Sequence, residues 1–239
     1  LTISGGDARE GEHGGGIHAD HATVTLSDST VSGNTAERHG GGIYNYFSTL
    51  TLTNCTISGN TAAGGSGGGI GNWGTLNLTN CTVSSNTAAN FGGGILNHYS
   101  TLTLTNCTVS NNTAGGIDGG GINSQYGTLT LIGNIVSGNS ATNGSEIYLF
   151  GPPIIAADAY NVLGHSGLTN AQALVGFTPG ASDVNCTSNG GTPTALSSIL
   201  NTTLADNGGP TKTHALVAGS PAIDIASTGP ATDQRGISR

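Results

Sequence analysis

Positive charge is what this chain has least of. Its 239 residues include five Lys or Arg, one tryptophan and no methionine. Charged side chains make up 8%, against about 25% in ordinary soluble domains. The shortage is regional: from His39 to Ile117 there is no Asp, Glu, Lys or Arg, and from His39 to Thr211 no Lys or Arg. With a net charge of −8, the chain lacks the clustered cations that grip phosphates. That excludes a nucleic-acid partner and weakens the case for polyanionic sugars. No apolar run approaches the roughly 18 residues of a membrane-spanning helix, so no span is expected. No stretch spaces its apolar residues as a helix does either. What remains is glycine, 42 residues of it, with Thr, Ser and Asn supplying the polarity.

These residues form a repeat. Thr101–Ala114 reads TLTLTNCTVSNNTA; close copies occupy Thr75–Ala88 and Thr49–Ala62, and looser ones Thr23–Ala36 and Thr128–Ala141. A GGGI run ends at Ile17, Ile43, Ile70, Ile95 and Ile122, and Ile147 takes the sixth place with the glycines lost. The steps are 26, 27, 25, 27 and 25 residues. A fixed period in this range denotes one supersecondary unit stacked on its neighbours. Within a unit the apolar residues alternate, Leu102 and Leu104, Cys107 and Val109, then Ile122, which is strand spacing. Parity slips at Thr105–Asn106 and across Asn112–Gly121, so the chain turns corners there. Three short strands per circuit describe a triangular coil. Equivalent residues lie a full circuit apart, so neighbouring coils pair in parallel at about 4.8 Å. The predicted class is all-β, a three-sided parallel β-helix with a period near 26 residues. Residues 1–150 are the regular coils. From Gly151 the pattern degrades at Pro152-Pro153, and 151–239 are expected to be irregular coils and a C-terminal cap of the same solenoid.

Stacking turns the repeat into columns. Leu50, Leu76, Leu102 and Leu129 make one interior column; Val31, Ile57, Val83, Val109 and Val136 make another. Asn54, Asn80 and Asn106 are expected at a corner as a structural ladder of amides. Asn34, Asn60, Asn86, Asn112 and Asn139 form a second. Cys55, Cys81 and Cys107 are consecutive members of one inward column. Stacked Cα atoms fall inside the disulfide distance window, but parallel Cβ vectors suit the bond's dihedral poorly. Free buried thiols and one ladder disulfide, the third thiol free or joined to Cys186, both stay open. His21, Phe47, Trp73, Tyr99 and Tyr126 stand two residues before each TL strand, at steps of 26, 26, 26 and 27. They predict a column of rings along one corner, serving as a stacking face for sugars, a lateral contact, or a plain cover.

Candidate chemistry is thin. Between residue 38 and residue 150 the only carboxylates are Asp118 and Glu146. Glycoside hydrolysis asks for two carboxyl groups within about 10 Å; these two lie one coil apart, with no cation beside them, and no catalytic residue is assigned. Asp7, Arg9, Glu10, Glu12, His13, His18, Asp20 and His21 are dense enough to consider a divalent metal, but such a cluster reads as a solvated loop. No metal and no cofactor are assigned. The outward Thr23/Thr25, Thr49/Thr51, Thr75/Asn77, Thr101/Thr103 and Thr128/Thr130 form a flat hydroxyl lattice resembling that of ice-binding solenoids. Threonine is also the favoured solvent-facing strand residue.

The GGGI…TLTLTNCTVSxNTA pattern resembles bacterial secreted right-handed β-helix proteins of the pectate-lyase-like superfamily. It is also similar to the chlamydial polymorphic outer-membrane-protein repeat, whose GG[AI] and FxxN halves correspond to GGGI and Val/Ile-Ser-x-Asn here. Leu204–Gly236 resembles the C-terminal part of large surface proteins that bear diverse anchor modules. The resemblance implies an exported, right-handed solenoid at the cell surface, fibre-like or adhesive, and hands over no catalytic residues. The chain opens in mid-coil, Leu1–Ser4 aligning with Thr56–Ser58 of a later copy, which predicts a piece of something longer. An uncapped terminal coil also predicts head-to-tail self-assembly into a filament. The expectation is a non-enzymatic extracellular β-solenoid, structural or adhesive, with itself or glycans as partner. The alternatives are a carbohydrate-binding or carbohydrate-active β-helix and, behind it, an ice-binding one.

Overall fold

The computed structural model describes residues 1–116, 118–152, 154–225 and 232–238. All pairings between its strands are parallel and set like residues beside like. Leu50, Leu76, Leu102 and Leu129 form one line, and Val31, Ile57, Val83, Val109 and Val136 another. Both lines are fully buried. Each such aliphatic side chain contributes roughly 1.5–3 kcal/mol, so the interior is a stack of nearly identical apolar layers.

Three faces enclose that stack. The longest is an 11-stranded sheet. It runs unbroken through Ile43–Thr53 and Ile70–Thr79 and as paired half-strands elsewhere, such as Ile95–His98 with Thr101–Thr105. The second face has eight strands, from Thr2–Ser4 to Val184–Asn185, and carries the Val/Ile column. The third has five two-residue strands, Thr87–Ala88 among them. One expectation changes here. The isoleucine strand after the glycines is not a side of its own: it shares the long sheet with TLTLT, and the third side is the Thr-Ala pair ending each copy. Between the two halves the chain makes a short bulge, which shifts register without turning a corner.

Corners are fixed by backbone demands. Gly40, Gly67 and Gly92 have φ of +68°, +68° and +61°. At the next glycines, Gly41, Gly68 and Gly93, a Cβ would lie 2.4 Å from backbone of a neighbouring coil. Beside them runs the second asparagine ladder, wholly buried. Asn34, Asn60, Asn86 and Asn112 each donate from Nδ2 to Oδ1 of the next, at 3.0, 3.0, 2.9 and 2.9 Å. Each Oδ1 also accepts the backbone N–H of the asparagine before it.

The other columns differ from one another. Asn54, Asn80 and Asn106 share left-handed φ of 55°, 53° and 53°, which asparagine adopts more readily than most residues. Only part of the expected ladder forms. Asn80 donates to Asn54 at 3.3 Å and Asn54 to Asp28 at 3.0 Å, whereas neither amide atom of Asn106 has a hydrogen-bond partner. Cys55, Cys81 and Cys107 do stack. The backbone N–H of Cys55 donates to Cys81 Sγ and that of Cys81 to Cys107 Sγ, both at 3.4 Å. All four cysteines are free and buried, so the thiol alternative holds. The column continues as amides, Cys107 N–H donating to Asn134 Oδ1 and Asn134 N–H to Asn161 Oδ1.

Coils continue past residue 150 through Val162–Leu163 and Val184–Asn185. From about Asn201 the chain returns as a strap along the outside of the eight-stranded face. Thr202 O accepts from Asn111, His214 Nε2 meets Ser84 Oγ at 2.8 Å, and Lys212 O accepts from Thr56 Oγ1 at 2.6 Å. Gln234 bonds Thr82 Oγ1 and Cys55 O at 2.7 and 3.1 Å. Beneath the strap's start, Val162, Cys186, Ile199 and Leu200 form a second small core, with Ile135 and Val184 packed on it. This explains a drift in the repeat. The outward residue of that face is Thr30, Thr56, Thr82 and Thr108, then Ile135, Val162 and Val184. Pro153, residues 226–231 and Arg239, which fall in the expected cap region, lie outside the described residues.

Candidate functional site

The bulge on the long face places a ring-bearing residue in left-handed backbone in four of the coils. His21, Phe47, Tyr99 and Tyr126 have φ of 48°, 45°, 51° and 53°. For a bulky residue this conformation is an outlier, with a cost of order 1–3 kcal/mol. The ring recurs there although a glycine would hold the same backbone without strain.

A third amide ladder, unforeseen, holds the bulges from inside. Asn45 donates to Asn72 at 2.6 Å, Asn72 to Asn97 at 2.8 Å, and Asn97 to Ser124 Oγ at 3.0 Å. All four residues are fully buried. Their signal was present in the sequence, an Asn or Ser two residues after the isoleucine that follows the glycines.

Four of the predicted five rings share the bulge file; Trp73 does not. It pairs in register with Tyr46, and Thr75 with Thr49. Phe47 and Ser48 therefore face the single residue Gly74. Counting back from the TL strand fails there because that coil is one residue short. Trp73 turns aside over Gly71, whose added Cβ would sit 3.0 Å from Trp73 Cζ3.

The rings still connect. His13 stacks on Tyr44 at 4.3 Å and on His39 at 5.2 Å, and Trp73 lies 5.0 and 5.1 Å from His39 and Tyr44. His98 bridges onward, 5.6 Å from Trp73 and 4.6 Å from Tyr99. Tyr99 stacks on Tyr126 at 4.8 Å and 11°, and Tyr126 meets Phe150 edge-on at 5.5 Å. Phe47 joins through Tyr46 at 4.5 Å and His21 at 5.4 Å. The result is an unbroken aromatic band across the coils. Phe47, Tyr99, Tyr126 and Phe150 are 61%, 67%, 41% and 48% exposed.

Burial works against charge on the histidines at the centre of the band. Burial lowers the pKa of His39 to about 4, with His13 adding to the effect. Burial also lowers those of His13 and His98. His13 Nδ1 accepts the His39 N–H at 3.3 Å and His39 Nδ1 the Ser66 N–H at 3.1 Å, which only a neutral ring nitrogen can do.

Elsewhere the structure separates the other candidates. Glu146 occupies the third-glycine position of its coil and ends the long asparagine ladder. Its Oε2 accepts from Asn139 Nδ2 at 2.6 Å and Asn139 N–H at 3.1 Å, and its Oε1 from Gly138 N–H at 2.9 Å. His165 Nε2 comes within 4.0 Å of Oε1. Burial raises the Glu146 pKa to about 7. Asp118 instead accepts from Asn143 near the surface. In the N-terminal cluster Arg9 pairs with Asp7 and His21 with Asp20. Among the described residues no group of three His, Cys, Asp or Glu converges as a metal site would. No helix there is long and apolar enough to cross a membrane.

Comparison with curated protein sequences finds no match. A solved structure described as the crystal structure of pectate lyase Pel9A superposes with a TM-score of 0.51 at 15% identity, covering 100% of this chain and 69% of that one. At that identity the likeness is one of fold. The family model for the right-handed β-helix region matches residues 1–157, and with the parallel coils, stacked ladders and bulged long face described above, the chain belongs to the right-handed β-helix family.

Proposed function

We propose that this chain is the ligand-holding shaft of an exported, adhesive β-helix, and that its aromatic band grips neutral glycan without cleaving it. The observation carrying this reading is the file of rings kept exposed, at strained backbone, on coils whose Leu and Val/Ile columns are fully buried. A cover for the bulge would be served by smaller residues, and glycine would relieve the strain. Sugar rings present apolar C–H faces that stack on aromatic groups, and flanking threonine hydroxyls and amides suit their hydroxyls.

Binding without turnover is supported by how the carboxylates are used. Glu146 is fully engaged by the asparagine ladder, and the coils from His39 on offer no Lys or Arg. Neutral glycan is favoured over uronate by the net charge of −8.

The test is direct. Wild type should be retained on cellulose or chitin, release no reducing ends from them, and ignore polygalacturonate. Tyr99→Ala/Tyr126→Ala should lose retention at least tenfold. Retention equal to wild type in that double variant overturns the reading, as does reducing-end release that tracks protein concentration.

A further inference from the structure

The file of bulge rings is interrupted at one coil, between Phe47 and Tyr99. Along the bulge the order is His21, Phe47, Gly74, Tyr99, Tyr126. Thr75 pairs with Thr49 and Trp73 with Tyr46, so Gly74 alone spans what Phe47 and Ser48 span one coil earlier. An added Cβ on Gly74 would lie 2.3 Å from Ser48 O, which places this glycine over the serine. The aromatic position of that coil is missing. Phe47 and Tyr99, at 61% and 67% exposed, are therefore separated by two coil steps, about 9.6 Å. Phe47 leans on Tyr46 and His21, and Tyr99 on His98 and Tyr126. Among the described residues no ring contact joins Phe47 to Tyr99 or Trp73 to either of them.

We propose that this vacancy is a slot that receives one pyranose ring of a neutral glycan, sandwiched between Phe47 and Tyr99. The proposal rests on the glycan-binding reading and locates its principal subsite. A gap of two steps leaves one step, about 4.8 Å, on either side of an inserted ring. Tyr99 and Tyr126 already stack at 4.8 Å. A pyranose with equatorial substituents carries C–H groups on both faces and fits between two rings. Its hydroxyls would then point to the strand leaving the slot, where Thr75 and Asn77 face out. Asn77 is the one amide in that register, opposite Thr51 and Thr103. The slot and its longest hydrogen-bonding side chain thus belong to the same coil. Charge selects further: no ionisable Asp, Glu, Lys or Arg occurs from His39 to Ile117, and His39 and His98 are held neutral. The ligand should be uncharged.

Trp73, the only tryptophan, stands beside the slot and provides the readout. Cellohexaose and chitohexaose would be titrated against tryptophan fluorescence and by calorimetry, with hexagalacturonate as the charged control. In the key variant a Phe is inserted between Trp73 and Gly74, restoring the two-residue bulge of the neighbouring coils. The fold should tolerate it, as circular dichroism and thermal melting would show. The inserted ring should raise the Kd of the better neutral probe at least tenfold, as should Phe47→Ala, while Leu216→Ala, exposed on the strap and outside the band, stays within twofold. If the insertion variant folds and binds within twofold of wild type while Tyr126→Ala and Phe150→Ala weaken binding, the band binds sugar but the slot does not exist. If the insertion variant fails to fold, Phe47→Ala decides alone, and binding within twofold of wild type overturns the slot. No binding of either neutral probe by wild type removes both the slot and the reading beneath it.

Discussion

At Tyr99 two effects of similar size oppose each other. Left-handed backbone costs a bulky residue of order 1–3 kcal/mol, while its contacts with His98 and Tyr126 return about 0.5–1.5 kcal/mol per ring pair. Asparagine shows what the backbone itself prefers: Asn54, Asn80 and Asn106 hold φ near 55° at the adjoining corner. Tyr99→Asn should therefore leave stability within about 1 kcal/mol, a melting shift of roughly 2–4 °C in a chain of this size, while sugar retention falls at least tenfold. A melting drop several times larger would mean that the ring serves to cover the bulge, and the binding role would go with it. The sequence made the ring file legible because the rings recur near the period. Its break at Trp73 was not legible, since a one-residue deletion inside a bulge leaves the neighbouring TL strand in register and only the pairing reveals it. Tyr44 was not legible because its register holds Gly71, Leu96 and Asn123 in other coils, nor were Tyr46 and His98, whose register also holds Asp20 and Gln125.

The asparagine ladder is a device of the element, and Glu146 is where it stops. Each rung satisfies the next, so the last amide, Asn139, needs an acceptor: with Val136 paired to Leu163, the next position holds Ser166 rather than asparagine. Replacing the third glycine by Glu146 supplies it. The carboxyl is buried, and its pKa rises from 4.5 to about 7. With the folded pKa above the unfolded one, the folded state holds the proton more tightly. This stability is fully present below pH 4.5 and is lost as pH rises through about 7, amounting to on the order of 3 kcal/mol. Histidines oppose it: His39, lowered to about 4, and His165, lowered by burial, gain stability with rising pH in the same window. The signature is therefore a difference between variants. Glu146→Gln should gain stability relative to wild type, by up to about that amount, between pH 4.5 and 7.5 in urea unfolding. A difference independent of pH would show that the carboxyl does not titrate there. The ladder of Asn34 through Asn139 was readable from its period. Its terminator was not, because a lone glutamate in a glycine corner looks like a solvated loop residue until its three donors are seen.

At the scale of the molecule the strap changes how the solenoid behaves. Stacked coils touch only their neighbours, so a β-helix without further ties would unravel coil by coil from its ends. The strap bonds Asn54 and Thr56, Asn80, Thr82 and Ser84, and Asn111, which belong to three successive coils. Further along, its hydrophobic side chains cover Ile135, Val162 and Val184. The coils themselves could be read from period and parity, whereas the strap has no period. Its only trace was the change from Thr108 to Ile135 on an outward position that should have stayed polar. Gln234 is its most connected residue, bonding Thr82 Oγ1, Cys55 O, Thr56 Oγ1 and Thr211 Oγ1. Gln234→Ala would leave several of these buried groups unpaired, at about 1–3 kcal/mol each. The strap should then open apart from the coils. Amides at Ala205 and Thr213, which bond each other, should exchange at least about 30-fold faster, the equivalent of 2 kcal/mol. Amides of Ile57, Val83 and Val109 on the face beneath should slow or hold. Equal acceleration of strap and coil amides would instead mean that strap and coils open as one unit, and the strap would then be part of the helix wall rather than a tie laid across it.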